Sequence, residues 1–210
     1  MVRTIIDISP VIEMRSAVFP GDIVYRRKVS HDLKKGDHLT LSSIETTLHV
    51  GAHVDAPNHF SRDGLSIDQV DLRKYLGPSQ VALLKKEPNC LIEPADLSSI
   101  SFEAPRLLLK TGSCPDPLHY NTDFVALSAR SVEFLAKRGI VLLGIDTPSI
   151  DPSFSKDLPA HRATLASQMA ILEGLYLNHV EEGLYELVAL PLRIKDADGS
   201  PVRAILRTLE

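Results

Sequence analysis

The chain has 210 residues, 44% hydrophobic and 24% charged, the balance of a globular protein able to bury a sizeable core. A net charge of −4 and a pI near 6.1 give no electrostatic reason to expect nucleic acid or an anionic membrane as partner, and no apolar run approaches a transmembrane length. The opening residues do not read as a signal peptide, and Cys90 and Cys114 make neither a disulfide framework nor a CxxC pair, so a cytoplasmic protein with free thiols is expected.

In chain order, apolar runs predict strands at 4–9, 23–30 and 39–49. Short helices are expected at 72–76 and 94–100, and further strands at 80–85, 106–110, 140–146, 185–192 and 202–207. One longer helix is clear: Ser128 caps it, Val132, Leu135 and Ala136 form its apolar stripe, and Gly139 stops it. That helix followed by the strand at 140–146 resembles an α/β crossover, yet consecutive strands are too numerous for a pure doubly wound fold. An α/β fold with a mixed-sheet or barrel-like core and flanking helices fits better. No repeat or linker divides the chain, so a single domain spanning 1–210 is expected.

The segment 49–59 concentrates the chemistry: His49, His53, Asp55 and His59 fall within eleven residues. Imidazole with carboxylate is the ligand set of zinc, manganese and iron hydrolytic sites. The preceding residues favour a strand, in which these four odd-numbered positions would share one face. An extended run of ten residues spans about 33 Å, too far for one metal, so the strand must bend, and Gly51 and Pro57 sit where a bend is needed. His49, His53 and Asp55 read as ligands and His59 as a proton carrier; solvated histidines on a polar strand are the bland alternative.

A second polar cluster follows the strand at 140–146. Asp146 and Asp151 read as loop caps. His161 follows Pro159, a first-turn proline, and taken alone is a ligand or a capping histidine. Glu173 stands in an apolar segment, where a buried carboxylate needs a partner or a metal, although it too could face solvent.

Several motifs occur in one order: His-x-x-x-His-x-Asp-x-Pro-x-His-Phe at 49–60, Gly-Ile-Asp-Thr-Pro-Ser-Ile-Asp-Pro at 144–152, Ala-His-Arg at 160–162 and Ile-Leu-Glu-Gly-Leu at 171–175. They continue with Tyr-Glu-Leu-Val-Ala-Leu-Pro-Leu at 185–192 and Asp-Gly-Ser-Pro-Val-Arg-Ala-Ile-Leu-Arg at 198–207. Over essentially the whole chain this resembles the metal-dependent, cyclase-like hydrolase family, and within it the bacterial kynurenine formamidase (arylformamidase) branch.

The resemblance implies a swivelling β/β/α fold, a homodimer or higher oligomer, and two divalent metals, zinc or manganese. It implies His49, His53, Asp55, His161 and Glu173 as ligands, His59 as the proton-transferring residue, and an aryl formamide as substrate. Hydrolysis of another aryl or cyclic amide, such as an isatin-like lactam, is the alternative within the family, and a non-catalytic metal- or ligand-binding protein on the same fold is the alternative from a different class. Ala52 stands where the family most often has Thr. Phe19 stands where the branch has a substrate-contacting Trp, keeping a stacking face but not the indole N–H.

Overall fold

The computed structural model describes residues 3–209, so the outermost ends of the expected 1–210 domain lie outside the described residues. The strands and helices are β1 (Ile5–Asp7), β2 (Arg26–His31), β3 (Leu41–Glu45), β4 (His53–Asp55), β5 (Leu76–Leu83), β6 (Leu91–Ile92), α1 (Pro94–Leu97), β7 (Arg106–Lys110), β8 (Ala126–Leu127), α2 (Ala129–Ala136), β9 (Leu142–Ile145), α3 (Pro159–Ala166), β10 (Ala170–Glu173), β11 (Gly183–Val188), β12 (Gly199–Pro201) and β13 (Ile205–Thr208). Nine of the strands form one mixed sheet in the order β1-β13-β11-β5-β7-β9-β10-β4-β12, curled into a half-barrel. This is the mixed, barrel-like α/β core read from the sequence. Its centre, β5-β7-β9-β10, is parallel, and antiparallel pairs close both sides.

Alternation along the central strands divides the core in two. Leu108, Leu142 and Leu172 point to one face, with Val54 and Leu206, while Leu107, Leu109, Leu143 and Ile171 point to the other. The second face is covered by α2 and α3 through Val132, Leu135, Ala160 and Ala163. The Ser128 hydroxyl accepts from the Ser131 amide at 3.2 Å, the cap read from the sequence, worth about 1 kcal/mol. Burying Val132 and Leu135 on the sheet contributes about 1.5–3 kcal/mol each.

Several expected bounds shift, with strands at Leu76–Leu83 and Gly183–Val188 and a helix ending at Leu97, and two expectations change in kind. The helix at 72–76 is a 3-10 turn, Leu72–Tyr75, capped by Asp71. The strand expected to run from 39 to 49 ends at Glu45 and pairs with β2 in a separate ribbon, and turns occupy 46–52 before β4 begins in the main sheet. His49 and His59 therefore do not share a strand face with His53 and Asp55. They reach the site from flanking turns, because β4 is only as long as its two partners allow.

Candidate active site

The pairing around β4 builds the site. Glu173 of β10 lies directly across from His53, and Gly199 of β12 lies across from Asp55. Opposite residues in an antiparallel pair share a face, and so do His53 and Asp55, two apart. All three functional side chains thus project together. Gly199 shares that face, and a Cβ there would lie 2.9 Å from the His49 ring. Its missing side chain is the space that the imidazole fills.

Bends on either side bring in the remaining groups. Gly51 turns the chain at φ +61°, a conformation glycine adopts without a Cβ clash. The 3-10 turn Pro57–His59 carries His59, with Pro57 at its start. On the far side of β10, Leu158 takes left-handed φ +46° ahead of Pro159, and α3 begins. The Asp151 carboxylate accepts from the amides of Ala160 and His161, both at 3.0 Å, which anchors the first turn and presents the His161 ring.

His53, Asp55, His161 and Glu173 are each 2–4% exposed, a depth at which charges need counter-charges. His53 Nε2 lies 3.3 Å from Glu173 Oε2 and 3.6 Å from Asp55 Oδ1, while its Nδ1 meets the Gly51 carbonyl at 2.9 Å. That bond leaves Nε2 as the nitrogen aimed at the cluster. His161 repeats the pattern, its Nδ1 on Asp151 at 2.7 Å and its Nε2 3.2 Å from Asp55 Oδ2. His49 Nδ1 sits 2.9 Å from Asp55 Oδ1 and its Nε2 2.9 Å from Asp198 Oδ2. Glu173 Oε1 accepts from the Ile150 amide at 2.7 Å, which fixes the carboxylate.

Charge follows this geometry. Burial opposes protonation of His49 and His161, but Asp55 and Asp198 around the first, and Asp151, Asp55 and Glu173 around the second, outweigh it and raise them to about 9 and about 10. Burial works against the Asp55 carboxylate, yet its bonds to His161 and His49 hold it well below the usual carboxylate range. These imidazoles and carboxylates converge on one another, a donor set that fits a divalent cation. Two overlapping groups have ligand atoms within 4.8 Å of one another: His53, Asp55 and Glu173, and His49, Asp55 and His59. Asp55 belongs to both.

All five sequence-read ligands meet here, with His59 beside them; its ring centroid is 4.2 Å from that of His49. The cluster opens into a cavity of about 310 Å³, a size suited to a small organic ligand, walled by Phe19, Tyr120, Tyr176 and Leu158. Phe19 therefore does line the site. Sequence reasoning passed over Asp198 and did not promote Asp151, and these two set the His49 and His161 rings. Asp198 opens the C-terminal motif at 198–207, which was its available signal; Asp151 was read as a loop cap, which it is, with the ring contact added. Asp146 accepts from the amides of Thr111 and Gly112 and from the Thr111 hydroxyl, and it lines the cavity.

Fold and site together define a hydrolase of the cyclase class. The family model Cyclase ("Putative cyclase") matches residues 6–152, and the chain belongs to that family. It is 43% identical over 205 residues, 97% of this chain and 90% of the relative, to a protein of Polaromonas naphthalenivorans (strain CJ2) named kynurenine formamidase. A protein of the same name from Delftia acidovorans (strain DSM 14801 / SPH-1) is 41% identical, with both chains covered in full. In fold the chain also resembles a solved structure titled as a potential metal-dependent hydrolase with cyclase activity, at TM-score 0.86, 24% identity and full coverage of both chains.

Proposed function

We propose that this protein hydrolyses N-formyl-L-kynurenine to L-kynurenine and formate, a step of tryptophan breakdown, within a single domain spanning the chain. The observation that carries the reading is the 43% identity, across nearly the whole length, to a relative named kynurenine formamidase. His49, His53, Asp55, His161 and Glu173 would hold the metal, two zinc ions in this reading, with manganese accepted by the same donors. When bound, such ions lower the pKa of water to about 7 and polarise a carbonyl.

The protein's own groups supply the rest. His59 has a side chain 34% exposed and lies 3.6 Å from Asp198 through Nδ1. Burial, opposed by the charge of Asp55, holds its pKa below the ordinary 6.5, so the ring is neutral at pH 7 and ready to take a proton. Water adds to the formyl carbon, the C–N bond breaks, and the proton collected at His59 passes to the aryl nitrogen, which leaves poorly unless protonated. Phe19 supplies an aromatic face for the substrate ring.

Substrate choice tests the reading, because isatin-like lactams are the competing class. The purified protein is expected to release formate and kynurenine in equal amounts from N-formylkynurenine, with kcat/KM for isatin at least about a hundredfold lower, a gap of about 2.7 kcal/mol. The reverse preference would reject the formamidase assignment.

The two cysteines are free thiols, which supports a cytoplasmic location; among the described residues no helix is long and apolar enough to cross a membrane. The β2–β3 ribbon supports a homodimer. A two-stranded ribbon is marginal on its own, and this one is exposed along both strands, with Leu41 53% and Ile44 64% exposed. Residues 23–45 carry five Lys and Arg against three acids in a chain of net charge −4, so the ribbon complements the body of a second copy. Sedimentation should show a dimer that Ile44→Asp weakens; a wild-type monomer overturns this.

A further inference from the structure

The Tyr120 hydroxyl is fully buried at the cavity and has no hydrogen-bond partner among the described residues. A buried O–H loses its water and gains nothing in return unless something enters to accept from it. Thr46 Oγ1 and Asn58 Oδ1 are also buried and unpartnered, but neither residue lines the cavity. Three other donors there are engaged. Ser16 donates to the Val11 carbonyl, Asn121 to that of Ser113 and Ser153 to that of Thr122. No Lys or Arg lines the wall.

The ring is held in place. Phe19 meets it edge-on, centroids 5.7 Å apart and planes at 80°. The two segments are tied by the Ala17 amide, which donates to the Pro117 carbonyl at 3.0 Å. Burial, with the charges of Glu173 and Asp22 adding to it, pushes the phenol up to about 12, so the group stays protonated.

We infer that Tyr120 is a specificity-determining residue whose hydroxyl donates a hydrogen bond to the aryl ketone oxygen of the substrate, an assignment that rests on the formamidase reading. The formyl oxygen is the reacting group and belongs at the histidine–carboxylate cluster. The second carbonyl sits on the same ring, ortho to the formamide. Its oxygen has two lone pairs; the neighbouring formamide N–H can take one, and the other is open to the phenol. The contact selects ortho-acyl formanilides over plain ones, since a substrate without the ketone leaves the hydroxyl unpaired.

The test is Tyr120→Phe, which removes one oxygen. Because that oxygen has no protein partner among the described residues, thermal stability should hold or rise, whereas a structural hydroxyl would lower it on removal. With N-formylkynurenine kcat/KM should fall about tenfold, carried mainly by KM, while formanilide, which has no ketone, should change less than twofold. Equal losses on both substrates, or no loss on N-formylkynurenine, overturn the assignment. Calorimetric binding of 2-aminoacetophenone, an aryl ketone with nothing to hydrolyse, reads the contact even if wild type leaves N-formylkynurenine intact. Binding about tenfold weaker in Tyr120→Phe supports it and equal affinity overturns it, while the formamidase reading fails separately on wild-type turnover.

Discussion

Asp55→Ala is expected to strip the centre of divalent metal and to lower N-formylkynurenine turnover by well over the 10–100-fold that groups orienting metal ligands carry. Asp55 is the one residue common to both ligand groups, with Oδ1 toward His49 and His53 and Oδ2 toward His161. Its loss also leaves imidazoles without their shared counter-charge, so the alanine variant is expected to unfold at lower temperature. Asp55→Asn keeps the shape and one acceptor oxygen, and separates folding from metal loss: it should fold and still bind little metal. His53→Ala should lose metal as well, since its Nε2 is set by the Gly51 carbonyl and has no substitute nearby. Full metal content and activity in any purified variant would refute the ligand assignment.

His59→Ala should behave differently, retaining most of the metal while turnover falls about 10²–10⁴-fold, the range for general acid–base catalysis. The ring is partly open to the cavity, and 3.6 Å separates it from Asp198. In this position it can exchange protons with a substrate, whereas His53 and His161 are sealed among carboxylates. The low pKa set by its burial places the acid limb of activity below that of an ordinary histidine: kcat/KM should rise as pH climbs through a value under 6.5. The geometry also places His59 with His49 and Asp55 in one possible ligand group, so metal analysis decides. Metal lost in step with activity would make it a ligand.

The cluster was legible in the sequence because its densest part is local. Parity placed His53 and Asp55 on one face, and β4 keeps them there; Gly51 and Pro57 bend the chain as their backbone limits require. The continuous strand through His49 failed because strand length is set by partners, and both partners of β4 are short and far along the chain. Propensity in 39–49 carries no trace of them. Glu173 stood out as a carboxylate in an apolar run, but its place opposite His53 is a matter of register between strands more than a hundred residues apart.

Asp198 was harder still, since a surface aspartate before Gly-Ser-Pro is ordinary turn chemistry until the fold lays it against His49. Tyr120 lies in a segment rich in proline and aspartate with neither periodicity nor motif to mark it. What singles it out is a hydroxyl left without a partner, which exists only once the chain has folded. Some strands of the main sheet, by contrast, were readable from their apolar runs, as at Arg106–Lys110, found with both ends as expected, although the apolar run of β10 was not read as a strand.

The account's central claim is that the histidine–carboxylate cluster runs the hydrolysis with a divalent ion in it. The direct measurement is to chelate the protein, titrate zinc or manganese back, and follow bound metal and formate release from N-formylkynurenine on the same samples. The account predicts an inactive, folded apoprotein whose rate returns in proportion to the metal bound. Undiminished hydrolysis of N-formylkynurenine by protein shown to be metal-free would contradict it.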